Sequence, residues 1–158
     1  MKNLLTTLAL TTLSLSTFAA TSGSLNLSGS VSPKLSIVVN PNAASTTLDL
    51  STSQSNLLVG TTLEKSNSKT GYTISVRSAN GGKLGHEESN PADVLAYTMN
   101  YGSFSGSLTT SDQTAVDVNS TQIGGLSRDI KINYTGLAPE DMKSGSYADT
   151  VTFTITAK

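Results

Sequence analysis

Short runs in which polar and apolar residues alternate are the feature that most constrains the fold of this chain. Thr and Ser alternate with Val, Ile, Leu and Tyr, as in VTFTITA at 151–157. A period of two places successive side chains on opposite faces of a strand. Long stripes with the period of a helix, about 3.6 residues, are missing. The sequence therefore predicts an all-β fold.

The spacing of these runs is typical of two antiparallel sheets packed as a sandwich. Clusters rich in Gly, Asn and Pro separate them and favour turns. The predicted strands are 21–33, 34–40, 46–50, 56–66, 71–78, 93–102, 106–111 with 114–119, 128–136 and 147–157. Pro139, followed by Glu140 and Asp141, predicts a single helical turn, or a loop that crosses from one sheet to the other, before the last strand.

Alternation also predicts which side chains face the core. The inward positions are Leu35, Ile37, Val39, Tyr72, Ile74, Val76, Leu95, Tyr97, Met99, Tyr101, Ile130, Ile132, Tyr134, Val151, Phe153 and Ile155. Tyr147, at the head of the final run, is placed like the corner tyrosine of immunoglobulin-like sandwiches. We interpret the row from Tyr97 to Tyr101 as core and not as a sugar-stacking surface, because the chain has few aromatic residues.

The N-terminal segment has the pattern of a secretory signal peptide. Lys2 supplies the positive charge near the start of this segment. An apolar stretch follows, and the segment ends in small residues. Cleavage is predicted after Ala19, with Ala20 as the alternative end. The expected organisation is a signal peptide at 1–19, an extension at 20–33 and one domain at 34–158. No later run is long enough to span a bilayer, so membrane insertion is not expected.

Composition excludes several classes of function. Charged residues make up 13% of the chain and the formal net charge is −1, so the sequence has no electrostatic footprint for nucleic acid. The chain has no cysteine, which excludes thiolate chemistry and disulfides in an exported protein. Its stability must therefore come from packing and strand ladders.

Candidate catalytic and metal-binding groups are few. The single histidine, His86, lies in a segment with Glu87, Glu88 and Asp93. We interpret this segment as a solvated loop and not as a metal site, because adjacent residues on a strand face opposite ways and one His with loop carboxylates is a poor ligand set. No Ser lies in a nucleophile elbow. The sequence predicts neither an enzyme nor a cofactor.

The stretch TSGSLNLSGSVSP at 21–33 is an alternating run directly behind the signal peptide. Leu25, Leu27 and Val31 share one face, and Gly29 leaves a gap where a fourth side chain would stand. At the other end of the chain, the strand at 147–157 is expected to leave one long edge without a partner. Such an edge is an aggregation template unless a strand pairs with it.

Several segments together resemble the subunits of chaperone–usher pili. They are LNLSGSV, then a Pro before LSIVV, later SANGGKL leading to LAYTMNYG, and finally GSYADT before the closing strand. The resemblance covers nearly the whole mature chain and is greatest to the group of spore-coat-U-like and archaic pilins, and to the cysteine-free alpha-type fimbrial subunits. The spore-coat-U-like and type 1 pilins usually carry a disulfide, which this chain lacks.

This resemblance implies an immunoglobulin-like β-sandwich that lacks its last strand and is completed by the N-terminal extension of the next subunit. It implies that Leu25, Leu27 and Val31 would enter pockets, with Gly29 at a shallow one, and that Val151, Phe153 and Ile155 would form the acceptor groove. The implied partners are other pilus subunits, a periplasmic chaperone and an outer-membrane usher. The implied location is a fimbrium on the cell surface, reached through the periplasm.

A second interpretation remains open at the level of sequence. The segment Ser32–Lys34 is long enough for a hairpin-like return, so the opening strand could pair with its own domain. The protein would then be a monomeric binding module, periplasmic or secreted, and not a polymerising subunit.

Overall fold

The computed structural model describes residues 20–90 and 93–158, and the signal peptide predicted at 1–19 lies outside them. The chain divides between Val31 and Ser32 into two units. The strands of the described residues all belong to the second unit. They are β1 (Leu35–Pro41), β2 (Gln54–Ser66), β3 (Tyr72–Ser78), β4 (Lys83–His86), β5 (Val94–Tyr101), β6 (Phe104–Gly106), β7 (Gln113–Val118), β8 (Gln122–Tyr134), β9 (Tyr147–Ala148) and β10 (Val151–Ala157).

The strands form two antiparallel sheets, which confirms the all-β prediction and is consistent with a β-sandwich. The larger sheet has the order β1-β2-β8-β5-β4-β9, with β6 paired to β5, and the smaller has the order β10-β3-β7. Helical structure among the described residues is limited to two 3₁₀ turns, Ala43–Ser45 and the predicted turn Pro139–Asp141. Neither turn has the length or apolarity to cross a membrane.

The core takes side chains from both sheets. The predicted inward faces of β3, β5 and β8 are confirmed, since each of their inward side chains is buried: Tyr72, Ile74, Val76, Leu95, Tyr97, Met99, Tyr101, Ile130, Ile132 and Tyr134. The inward side chains of β1 and β10 are less covered. Leu35, Ile37 and the apolar residues of β10 pack on the core but are only half-buried, and Val39 is 42% exposed.

Two predicted strands were wrong. Residues 46–50 do not form a strand, because the hydroxyls of Thr46 and Thr47 bond to Ala43 O and the Asp49 carboxylate accepts from Ser51 N. Such local side-chain bonds compete with a ladder. Only Gly106 of 106–111 is in a strand. Residues 21–33 carry no regular secondary structure in the single chain, so their pairing as a strand, with a neighbour or with their own domain, stays a prediction.

Two boundaries also differ from the sequence prediction. The closing run is interrupted at Asp149 and Thr150, where the chain leaves β9 in the larger sheet and enters β10 in the smaller one. The glycine pair Gly124-Gly125 is one of the Gly-rich clusters that favour turns between the predicted runs, but it lies inside β8. Gly125 has a φ of +87°, and a Cβ there would lie 2.9 Å from Leu63 Cδ1, so glycine lets the strand continue beside this side chain.

Candidate functional site

An apolar groove between β1 and β10 is the candidate functional site. Both are edge strands in the described part of the chain: β1 pairs with β2, and β10 pairs with β3. Between them lies a cavity of about 240 Å³. Its walls are Val39, Pro41, Ser45, Leu48, Val59, Gly60, Leu84, Tyr97, Met99, Ile130, Ile132, Asp149, Val151 and Phe153. The groove therefore reaches the apolar interior of the domain.

The structure places two of the three predicted acceptor residues in this groove. Val151 and Phe153 line the cavity, while Ile155 packs against the core farther along β10 and is not one of the lining residues. Thr154 and Thr156 are exposed on the opposite face, as the alternation requires. The predicted orientation of β10 is therefore present.

Gly60 allows β1 to lie close to β2 at the wall of the groove. A Cβ at this position would lie 2.8 Å from the backbone oxygen of Asn40. The pairing of β2 with β8 is also irregular between Leu58 and Gly60. Because real Cβ atoms essentially never approach a backbone oxygen so closely, a larger residue here would displace β1.

Asp149 holds one end of the groove and was not identified from the sequence as a functional residue. Its Oδ2 accepts from Tyr97 Oη at 2.7 Å, and its Oδ1 accepts from Asn80 N at 3.0 Å and Thr150 N at 2.7 Å. The Ser78 hydroxyl donates to the same carboxylate. Burial raises the pKa of Tyr97, and the hydrogen bond to Asp149 raises it further. Asp149 thus anchors the start of β10 to the turn after β3.

A buried polar network lies behind the groove and was also missed. Phe153 packs edge-to-face on Tyr101, with ring centroids 5.0 Å apart. Tyr101 Oη donates to Glu64 Oε1 at 2.6 Å, Tyr72 Oη donates to Glu64 Oε2 at 2.7 Å, and Arg128 Nε donates to the same oxygen at 3.2 Å. Glu64 is fully buried. The carboxylate is tolerated because each oxygen accepts hydrogen bonds and Arg128 supplies the opposite charge.

We expect these tyrosines to make the protein less stable at alkaline pH. Burial, with the hydrogen bond to Glu64, raises the pKa of Tyr72 to about 12. A tyrosine in the unfolded chain ionises near pH 10. The contribution of Tyr72 to the free energy of unfolding is therefore fully present below about pH 10. It is lost as the pH rises through about 12.

Urea unfolding at pH 9, 10 and 11 measures this effect. The free energy of unfolding is expected to fall by about 1.4 kcal/mol per pH unit for each such tyrosine above pH 10. The Tyr72→Phe variant is the control, since its decline between pH 10 and 11 should be smaller than that of the parent. Equal declines in the two proteins would contradict the assignment to Tyr72.

The predicted donor residues lie in the described part of the first unit. Residues 20–31 are all exposed, and the exposed fractions of Leu25, Leu27 and Val31 are 83%, 87% and 86%. Monomeric proteins seldom leave several large apolar side chains in one short segment fully exposed to water. These side chains are available to a partner.

The histidine segment is a packed structural element. His86 is buried, which corrects the prediction of a solvated loop: its Nδ1 accepts from Glu88 N at 3.2 Å and its Nε2 donates to Ser144 O at 3.1 Å. Its ring lies edge-to-face with Tyr147. No group of three or more metal-ligating side chains occurs within 20–90 and 93–158.

Tyr147 bonds to the backbone of the loop that precedes β9. Its Oη donates to Lys143 O at 3.0 Å, a bond to the backbone four residues upstream. Together with the stacking on His86, this bond fixes the loop that precedes β9.

A scan against protein-family models and a search of the curated proteins both found no match to this chain. The functional interpretation therefore rests on the groove, on the buried polar network behind it and on the exposed extension.

Proposed function

We propose that this chain is a structural pilus subunit that polymerises by inserting residues 25–31 of one copy into the groove of another. The observation that carries the proposal is the groove itself, an apolar cavity of about 240 Å³ between two edge strands. Edge strands present unpaired N–H and C=O groups to an added strand. Pockets along such a groove accept every second side chain of the added strand and so determine which sequence can bind.

The extension has the pattern that such a groove requires. Leu25, Leu27 and Val31 lie on one face of an extended segment, and small polar residues fill the other face. Burial of each large side chain contributes about 1.5 to 3 kcal/mol, so three contribute on the order of 5 to 9 kcal/mol before ordering costs. The backbone ladder adds to this. Assembly is therefore a substantial source of stability.

The same geometry explains the partners we propose. An exported subunit with an open apolar groove would aggregate unless another protein covered the groove before assembly. A periplasmic chaperone would serve this purpose, and an outer-membrane usher would exchange it for the next subunit. The product is a homopolymer, a fimbrium on the cell surface. The proposed role is structural and not enzymatic.

The proposal predicts that Leu27→Ser weakens the polymer without changing the monomer. Loss of one buried Leu corresponds to about 1.5 to 3 kcal/mol, or roughly 10- to 150-fold in the equilibrium for strand insertion. Electron microscopy and size-exclusion chromatography of the mature chain measure assembly, and thermal melting reports on the monomer. Asn26→Ala, whose side chain faces the other way, is the matched control and should assemble like the parent.

The alternative of a strand paired within its own domain gives the opposite result. The parent chain would then stay monomeric at all concentrations, and Leu27→Ser would lower its melting temperature. Either finding would contradict the proposal of a polymerising subunit.

A further inference from the structure

Asn67 holds both sides of Pro33, at the junction between the extension and the domain. Its Nδ2 donates to Ser32 O at 3.1 Å, its Oδ1 accepts from Lys34 N at 2.5 Å, and its backbone N donates to Lys34 O at 3.1 Å. Proline has a fixed φ and no N–H to donate. The Asn67 amide thus supplies the bonds that a regular ladder could not make across Pro33. Residues 32–34 are fixed to the end of β2.

This attachment limits how far a neighbouring copy can lie from the domain. Val31 is the last apolar residue of the extension, and an extended chain advances at most about 3.6 Å per residue. The three steps from Val31 to Lys34 therefore span no more than about 11 Å. If residues 25–31 are inserted in a second copy, that copy must lie against the surface around Lys34.

We propose that this surface, which we call the base surface, is a second contact between copies of the chain, in addition to the groove. The inference rests on the proposed function. The base surface is a depression of about 200 Å³ whose walls include Lys34, Leu35, Lys65, Asn67 and Ile123. Ile123 is 73% exposed, more than any other large apolar side chain described in the second unit. Burial against a neighbour would remove it from water.

The charges of the base surface indicate the type of contact. Lys34 and Lys65 flank the depression, and its walls include no acidic residue. A two-fold arrangement would place these lysines against their own copies, and like charges brought together in an interface are unfavourable. The base surface must therefore meet a different surface of the neighbour. Such head-to-tail contacts, when they do not close into a ring, generate filaments.

The absence of cysteine from the chain allows a direct test. Ile123→Cys places one thiol in the base surface, and Asp129→Cys places a control thiol on an exposed position farther along β8. Both full-length mature variants are treated with a maleimide before and after assembly, and melting curves confirm that each monomer is folded. We expect the thiol introduced at position 123 to lose its reactivity in the polymer, while the thiol at position 129 reacts as in the monomer.

The outcomes separate the two proposals. If the Ile123→Cys chain alone fails to assemble, although its monomer is folded, this also supports a contact at the base surface. Polymers in which the thiol at position 123 reacts as fast as in the monomer would overturn the second contact and leave strand insertion intact. If neither variant nor the parent chain forms polymers, both the second contact and the proposed function fail.

Discussion

A chain carrying Gly29→Leu is expected to form no polymer, while its monomer melts at the temperature of the parent chain. Gly29 lies between Leu27 and Val31 on the face proposed to enter the groove. A bulky side chain at a shallow pocket costs about 1 to 3 kcal/mol, and more where the backbone cannot move. In the monomer no described atom lies within 4 Å of a Cβ at Gly29, so the substitution is tolerated there. Electron microscopy and heat-resistant ladders on gels measure the polymer.

Ser28→Leu is the matched control for this experiment. It adds the same side chain one residue earlier, where the period of two directs it away from the groove. This variant should therefore assemble. If Gly29→Leu assembles to the same extent as Ser28→Leu, or lowers the melting temperature of a chain that stays monomeric, residues 25–31 serve their own domain and the pilus-subunit proposal is abandoned.

Glu64→Ala is expected to lower the free energy of unfolding by about 3 to 5 kcal/mol. The hydroxyls of Tyr72 and Tyr101 donate to this carboxylate from buried positions, and Arg128 pairs with it. Each buried donor left without an acceptor costs about 1 to 3 kcal/mol, and truncation also leaves a cavity. Urea unfolding near neutral pH measures the change.

Two further variants show whether the loss comes from the network. Glu64→Gln keeps the shape and one acceptor oxygen, so its cost should be smaller than that of Glu64→Ala. Lys65→Ala, at the next position on β2, changes an exposed side chain and should remain within about 0.5 kcal/mol of the parent. A loss below about 1 kcal/mol for Glu64→Ala would contradict the role of the carboxylate.

The inward faces of the central strands were predictable because alternation indicates which side chains face the core. Ile74, Met99 and Ile132 stand in runs with polar residues on either side, and each is buried. The same pattern identified Val151 and Phe153, which line the groove. Alternation could not show that these two remain half-buried, because a half-covered face and a fully covered one have the same period.

The polar anchors could not be predicted from the sequence, because their partners lie far away along the chain. Glu64 depends on Tyr101 and Arg128, and Asp149 depends on Tyr97 and Asn80. Nothing in the residues next to Glu64 distinguishes its carboxylate from an exposed one. The GSYADT motif that ends the resemblance contains Asp149, which was the one signal available for it.

The pairing of β3 with β10 has a consequence for the timing of folding. Val76 pairs with Phe153, so the smaller sheet joins a strand from the middle of the chain to one made much later. Contacts between such distant residues form slowly, since the intervening chain must first be brought together. During synthesis β3 is therefore complete well before its partner exists. In that interval the edge of β3 that later pairs with β10, including Ile74 and Val76, has no strand beside it, and an unpaired strand edge is open to misassembly.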